Sequence, residues 1–561
     1  MSHLVLIDYV IFFIYFVLVL GFGYWIHQRR KKEFTDTKDF FLAEGSLVWW
    51  AIGASMIASN ISAEQFIGMS GEGFFVGIAI SVYEWMAALA LIIIAVWFMP
   101  IYLKNKIYTM PQFLKTRYNE SVALIMAVFW LFLYVFVNLT SILYLGSVAI
   151  NGLVGGNALH IIMVGLALFA LVITLGGMKV IGYTDVIQVA VLIIGGLATT
   201  YLALTVVSEK FGLDGSAWSG FNFLMKDAPE HFKLILNKPA PDAPIEEIKK
   251  YLITPGIAMY FAGQWIVHLN YWGCNQYITQ RALGADLKTA RNGILFAGLL
   301  KLLMPVIVML PGIAAYVLYK NGHLPQLAGG SKDGAYSAIL GFLPAGLKGL
   351  SVAALTAAIV ASLAGKVNSI STIFTLDIYK KYFKSDATET RLVWVGRITV
   401  WAAMFIALFF TWNDTLGIGG EGGFTFIQKY TGFISPGVFA TFILGMFWKR
   451  TTGVAAVAGI ISGFTLSVVF NNYAPGWFGN ETLLYTAFPN GKGGYEIPFL
   501  ICMGWSFVFT VILMAVISLS GKTVNEKAFI FEPGMFSVAP KTKVMIVITI
   551  IMLAALYIKF W

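Results

Sequence analysis

The sequence predicts an all-α polytopic membrane protein: about 14 transmembrane helices, with two inverted five-helix repeats whose first helices are broken. Three observations carry this. Of 561 residues, 58% are hydrophobic and only 12% charged, about half the charge of a soluble domain. Apolar runs long enough to cross a bilayer, ~20 residues, recur along the whole chain. Two runs are interrupted by polar residues and glycine, ASNISAEQFIGMSG at 58–71 and a second near 268–276, and they stand five spans apart. An odd number of spans reverses orientation, so two five-span units would be inverted copies. That is the plan in which broken helices meet at a midplane site.

The candidate spans lie near 5–26, 47–67, 75–102, 121–150, 158–177, 181–207, 254–275, 291–319, 342–379, 391–412, 423–447, 452–471, 496–519 and 541–560. They divide the chain into an extra first helix with a basic loop (1–46), a first repeat (47–207), an outer loop (208–253), a second repeat (254–447) and three final helices (448–561). Lys and Arg set the orientation, because they accumulate in cytoplasmic loops. Arg29, Arg30, Lys31 and Lys32 follow the first span. Counting alternately, later inside loops carry Lys104, Lys106, Lys115 and Arg117; Lys179; Arg281, Lys288 and Arg291; Lys380, Lys381 and Lys384; Lys449 and Arg450; and Lys522 and Lys527. Both termini are then expected outside a plasma (inner) membrane. The first run is long enough to span and shows no small-residue cleavage site. The net charge of +10 is accounted for by these loops, so no nucleic-acid partner is implied; the lipid bilayer is the partner.

Cys274 and Cys502 both lie in apolar runs, and the six histidines are scattered without ligand spacing. No disulfide framework or metal motif results, and no phosphate loop or nucleophile arrangement points to an enzyme. A channel would need a repeated filter or charged ring, and none is present.

Ionisable groups in mid-span are costly and usually face a cavity or a partner. Glu84 lies ~8 residues from the outer end of its span, ~12 Å at the helical rise, too deep for a carboxylate to reach water. Lys301 lies ~15 Å from the inner end by the same measure. A structural ion pair between these two would explain them; so would binding of a polyhydroxylated ligand, since a carboxylate accepts hydrogen bonds and an ammonium donates them. Gln65 and Gln428 are mid-span amides able to do both. Tyr83, Phe424, Tyr271 and Trp272 are rings beside these groups. Stacking rings and polar hydrogen-bonders suit a sugar, although rings that pack helices or face lipid are the commoner case in a chain this aromatic. The span 342–379 is rich in small residues that permit close packing. Its Ser362 offers a hard oxygen ligand, and Lys366 follows one turn on, on the same face. Asp185, in GYTDVIQV, falls near the inner end of its own span.

The motifs FLAEGSLVWWAIGASMIASNISAEQFIGMSG, YEWM, FVNLTSILYLG, YTDVIQV, YWGCNQYITQR, NSISTIFTLDIYK and IQKYTGFISPG followed by GMFWKR resemble the sodium–solute symporter family over nearly the full length. Within it the chain is similar to the sodium/glucose and sodium/galactose branch. The resemblance implies fourteen helices, one before two inverted five-helix repeats and three after, and alternating access to sodium and a small-molecule sugar. It implies that Gln65, Glu84, Lys301 and Gln428 hydrogen-bond the sugar. Met69, Tyr83 and Phe424 would form an outer gate. Tyr271, with Trp272 beside it and Asn60 holding its hydroxyl, would form an inner one, and Asn138 would bridge helices nearby. Sodium, a coupling ion rather than a held cofactor, would take carbonyls of Ala58, Ile61 and Ala358 and hydroxyls from 342–379, and Asp185 would line its exit. Glu64 is expected to be a structural partner only.

Four positions depart from the galactose-type pattern. Ala87 stands for a serine, and His268 for an asparagine three residues before the tyrosine–tryptophan pair. At the ion site the pattern has two adjacent hydroxyls; here Ala361 stands for the first and Ser362 keeps the second, and Lys366 stands where the pattern is apolar. Each changed hydrogen-bonding group shifts which sugar fits. No arginine is expected mid-span near the sugar-binding residues, which argues against a sugar acid. Lys366 is expected to pair with Asp185 below a weakened sodium site. A bolder alternative makes Lys366 a tethered cation that replaces sodium, and a further one makes the chain a sugar sensor that does not transport.

Overall fold

The computed structural model describes residues 4–29, 47–154, 158–240, 242–324, 327, 332–418 and 423–561; the basic positions Arg30, Lys31 and Lys32 lie outside them. Among these residues ten helices are long and apolar enough to cross a membrane, or up to twelve if each of two bent pairs is one span. Two further predicted spans are helical as well. One is Leu159–Leu175, and the other is split into Trp49–Asn60 and, after a break, a π-helical piece Glu64–Met69 that continues as Ser70–Phe75. The chain is thus a multi-pass, mostly helical membrane protein.

The helix Leu347–Thr372, with its extension to Phe383, is the axis: 94% of its apolar window is buried, against 22% for the window in Leu6–Trp25 and 11% for Pro540–Phe560. Small residues make this possible. A Cβ on Gly195 would come 2.7 Å from Ala354 Cβ, so the helix Gly177–Lys210 lies directly on the axial helix, and Thr199 and Ser351 share a 2.6 Å hydroxyl bond there. The little-buried helices are apolar on nearly all sides, as lipid contact requires.

Three breaks interrupt the helices around the centre. Ile61 leaves the helical region at φ −79°, ψ 118°, and Asn275 does so at φ −88°, ψ 128°; both fall in the interruptions read from the sequence. A third, a 50° bend between Gly423–Gly432 and Ser435–Phe447, lies inside the uninterrupted span expected at 423–447. Pro436 at the start of the second piece gives the reason: its ring pre-sets a first helical turn and cannot accept the preceding one.

Two of the expected loop cations brace helices. Arg117 donates from Nε to Gly445 O at 2.7 Å, and from its two terminal nitrogens to Thr451 O and Trp448 O at 3.1 Å. It therefore closes the C-terminal carbonyls of Ser435–Phe447, where positive charge is favoured. Arg291 instead donates to carbonyls in the middle of a helical run, to Ala95 O from Nε at 3.0 Å and to Val96 O from a terminal nitrogen at 3.3 Å.

Candidate functional site

The three breaks meet at one enclosed cavity. Gln65, Glu84, Lys301 and Gln428 all line it, together with His268, Tyr83, Phe424, Tyr271, Trp272, Asn60 and Asn138. Glu84 and Lys301 form an ion pair, 2% and 1% exposed, and the Lys301 ammonium lies 5.3 Å from the Trp272 ring centroid. Burial of both charges demands this pairing, since either one alone would be far costlier. The ion-pair arrangement and the cavity position therefore coexist: the pair is a wall of the site.

Gln65 is half committed. Its Oε1 accepts from Ser62 N at 3.0 Å and Ser62 Oγ at 3.1 Å, which braces the break at Ile61 and leaves its amide N–H groups for the cavity. The Asn275 break is braced likewise: Tyr134 Oη donates to Asn275 Oδ1 at 3.1 Å and accepts from Gln276 N at 3.1 Å.

Rings close the cavity above and below. Tyr83 packs edge-on to Phe424, centroids 5.1 Å apart, with Met69 fully buried nearby in sequence to Gly68. A Cβ on Gly68 would lie 2.6 Å from Phe424 Cβ and 2.9 Å from Phe424 N, so only glycine permits this approach. On the other side Asn60 Nδ2 donates to Tyr271 Oη at 3.0 Å, and Tyr271 packs on Trp272 and Tyr277.

Five buried polar atoms of the lining have no hydrogen-bond partner: Glu64 Oε1, Asn60 Oδ1, Asn270 Oδ1, His268 Nε2 and Tyr83 Oη. Buried polar groups in folded proteins are nearly always satisfied, so these await a ligand or water. Three of the five, those of Glu64, Asn60 and Asn270, are oxygens that only accept. Glu64 was expected to be structural, and it faces the cavity instead. Asn270 and Asn275 also line it; their signal in the sequence was two more amides flanking Tyr271 and Trp272.

The break at Ile61 also frees main-chain oxygens. Ser62 N–H turns to Gln65 Oε1, Glu64 N–H to Ser62 Oγ, and Gln65 N–H to Ser62 O. Among the described residues no backbone N–H returns to the carbonyls of Ala58 or Ile61. Ser362 Oγ, on the axial helix, donates to Ser59 O at 3.1 Å, which brings Ala358, Ala361 and Ser362 to the broken end, all buried. Carbonyls and one hydroxyl are hard oxygen donors suited to a small cation, with Ala361 contributing no side-chain oxygen.

Two expectations about charges here are corrected. Lys366 does not pair with Asp185. Its Nζ donates to Ser362 Oγ at 2.8 Å and sits 4.7 Å from the Tyr277 ring centroid. Asp185 Oδ2 accepts from Ser55 Oγ and lies 3.7 Å from an Arg281 nitrogen. Nor does Arg281 lie in a loop: it is 2% exposed and donates from Nε to Ser55 Oγ and Ser55 O at 2.9 and 3.2 Å, although it does not line the cavity. The reason is the Asn275 break. The chain resumes as a helix, Gln276–Leu283, so Arg281 lies inside the bundle and not in a loop, and it takes the place by Asp185 that Lys366 was expected to hold.

A model of the Sodium:solute symporter family matches residues 40–463. The chain is 41% identical to a sodium/glucose cotransporter of Vibrio parahaemolyticus, over 99% of this chain and 98% of that one. It is 33% identical to sodium/myo-inositol cotransporter 2 of Mus musculus, over 82% of this chain and 69% of that one. Among solved structures, a Na+-coupled sialic acid symporter in a substrate-bound outward-open state superposes with a TM-score of 0.76 at 20% identity, covering 93% of this chain and 99% of that one; this shows a common fold.

Proposed function

The chain belongs to the Sodium:solute symporter family, and from that membership we propose that it imports a neutral sugar, a hexose such as glucose or galactose, by sodium-coupled alternating access. The observation that carries the sugar is the set of unpartnered oxygens of Glu64, Asn60 and Asn270 in one cavity, which call for a ligand rich in hydroxyl donors. Lys301 and the Gln65 amide supply donors for its ring and hydroxyl oxygens. Gln428 supplies both, and Trp272 and Tyr271 supply apolar faces. His268 in place of an amide, and Ala87 in place of a hydroxyl, tune which hydroxyl pattern fits. Sodium takes the carbonyls of Ala58, Ile61 and Ala358 and the Ser362 hydroxyl. Because Asn60 and Gln65 flank the same break, ion and sugar order one piece of chain, and that shared piece couples them. The finer architecture we assign is fourteen helices with two inverted five-helix repeats and both termini outside.

Purified protein in liposomes tests this. An inward sodium gradient should drive accumulation of labelled glucose or galactose. Uptake indifferent to the gradient would remove the sodium coupling, and no uptake from a panel of neutral sugars would remove the sugar. Within the same assay Gly68→Ala should transport poorly. Its Cβ cannot clear Phe424, overpacking of this kind costs ~1–3 kcal/mol, and a step that needs this closure would slow about tenfold. Initial rates at matched protein density give the comparison.

A further inference from the structure

One ammonium sits against the proposed ion ligands. Lys366 Nζ donates to Ser362 Oγ, whose own proton goes to Ser59 O. On the axial helix Ser362 is the side-chain hydroxyl offered at that point, because Ala361 has none. Lys366 is 1% exposed, so its charge cannot reach water by a change of rotamer. It rests on the Tyr277 ring face, an arrangement that stabilises a desolvated cation. The charges that act on it are Glu64, which attracts it, and Arg281, which repels it. Glu64 keeps an unpartnered oxygen.

We propose that Lys366 is a resident cation that competes with sodium for the Ser362 hydroxyl, and that sodium binds only as this ammonium withdraws from Ser362 toward Glu64. This rests on the sodium-coupled reading and specifies how its ion site is regulated. Two monovalent cations cannot share one hydroxyl at bonding distance without repulsion, and like charges in a buried region interact strongly. The lysine therefore holds sodium affinity low. It also links the ion site to the sugar cavity, since the carboxylate that receives the ammonium is one that lines the cavity. Arg281, fixed on Asp185 and Ser55, repels the ammonium.

Equilibrium binding of radioactive sodium to the purified full chain in detergent, without sugar, tests the competition directly. Lys366→Met and Lys366→Gln should half-saturate at sodium concentrations about tenfold lower than the wild type, the factor a single charge-assisted hydrogen bond carries. Lys366→Arg should remain weak. Neutral variants that bind sodium no better than the wild type overturn the proposal. Should they fail to fold, Tyr277→Trp keeps the lysine and the ring face: saturating sodium should change its indole emission as the ammonium moves, and an emission indifferent to sodium overturns the proposal equally. Sugar counterflow, measured separately, decides the transport reading. Counterflow with unshifted sodium binding removes the competition alone, whereas shifted binding without counterflow removes the sugar reading alone.

Discussion

Lys301→Met should both destabilise the protein and abolish sugar binding, and the double variant Glu84→Gln/Lys301→Met should recover the first property without the second. Lys301 and Glu84 are 1% and 2% exposed. Removing one partner leaves the other buried and uncompensated, which costs ~3–5 kcal/mol. Replacing both charges together with neutral groups of similar size is often close to neutral for stability. Thermal melting in detergent should therefore show a large drop for Lys301→Met and a much smaller one for the pair. Ligand binding follows a different rule. A site built to hydrogen-bond hydroxyls loses affinity when its groups vanish, by ~10²-fold or more for two charge-assisted bonds. Equilibrium binding of labelled sugar should stay lost in the double variant. A double variant that regains both stability and binding would show the pair to be structural only.

This cavity was largely legible because membranes make polar residues conspicuous. Glu84, Lys301, Gln65 and Gln428 stood out as polar groups in apolar runs, and all four line one cavity. The breaks at Ile61 and Asn275 were legible for the same reason. What sequence did not give was which polar groups face each other, because hydropathy fixes the depth of a residue and not the rotation of its helix. Lys366 and Asp185 are at plausible depths for a pair, yet they contact different partners. Arg281 was misplaced because a positive charge after a span reads as a loop, and the break at Asn275 looks like the end of a span. The 50° bend ahead of Pro436 was hidden because the residues on both sides are apolar enough to count as one run. Glu64 escaped attention beside Gln65, since neighbours on a regular helix point apart; on the broken piece both reach the cavity.

Asp185→Asn should loosen the helices that meet at Ser55 and Arg281 and slow the transport cycle. Asp185 and Arg281 are each buried, and they tie three elements together. Ser55 belongs to the helix before the first break, Asp185 to Gly177–Lys210, and Arg281 to the helix just after the second break. The knot is tight: a Cβ on Gly365 of the axial helix would come 2.5 Å from Arg281 and 2.8 Å from Ser59 Oγ. Any movement of the helix carrying Arg281 away from Ser55 has to break these contacts, so the ion pair opposes it. Neutralising Asp185 leaves the guanidinium without its counter-charge, and a broken buried pair loses ~3–5 kcal/mol, enough to reverse a conformational equilibrium of ordinary size. Cys274, fully buried at the second break, is a native reporter. In a Cys502→Ser background, Asp185→Asn should raise the maleimide labelling rate of Cys274 at least ~10-fold, as population of an opened state demands. Unchanged labelling would mean that the pair holds the fold and not the closed state. The swap Asp185→Arg/Arg281→Asp should restore slow labelling in part, because two residues in one ion pair are coupled and their effects do not add.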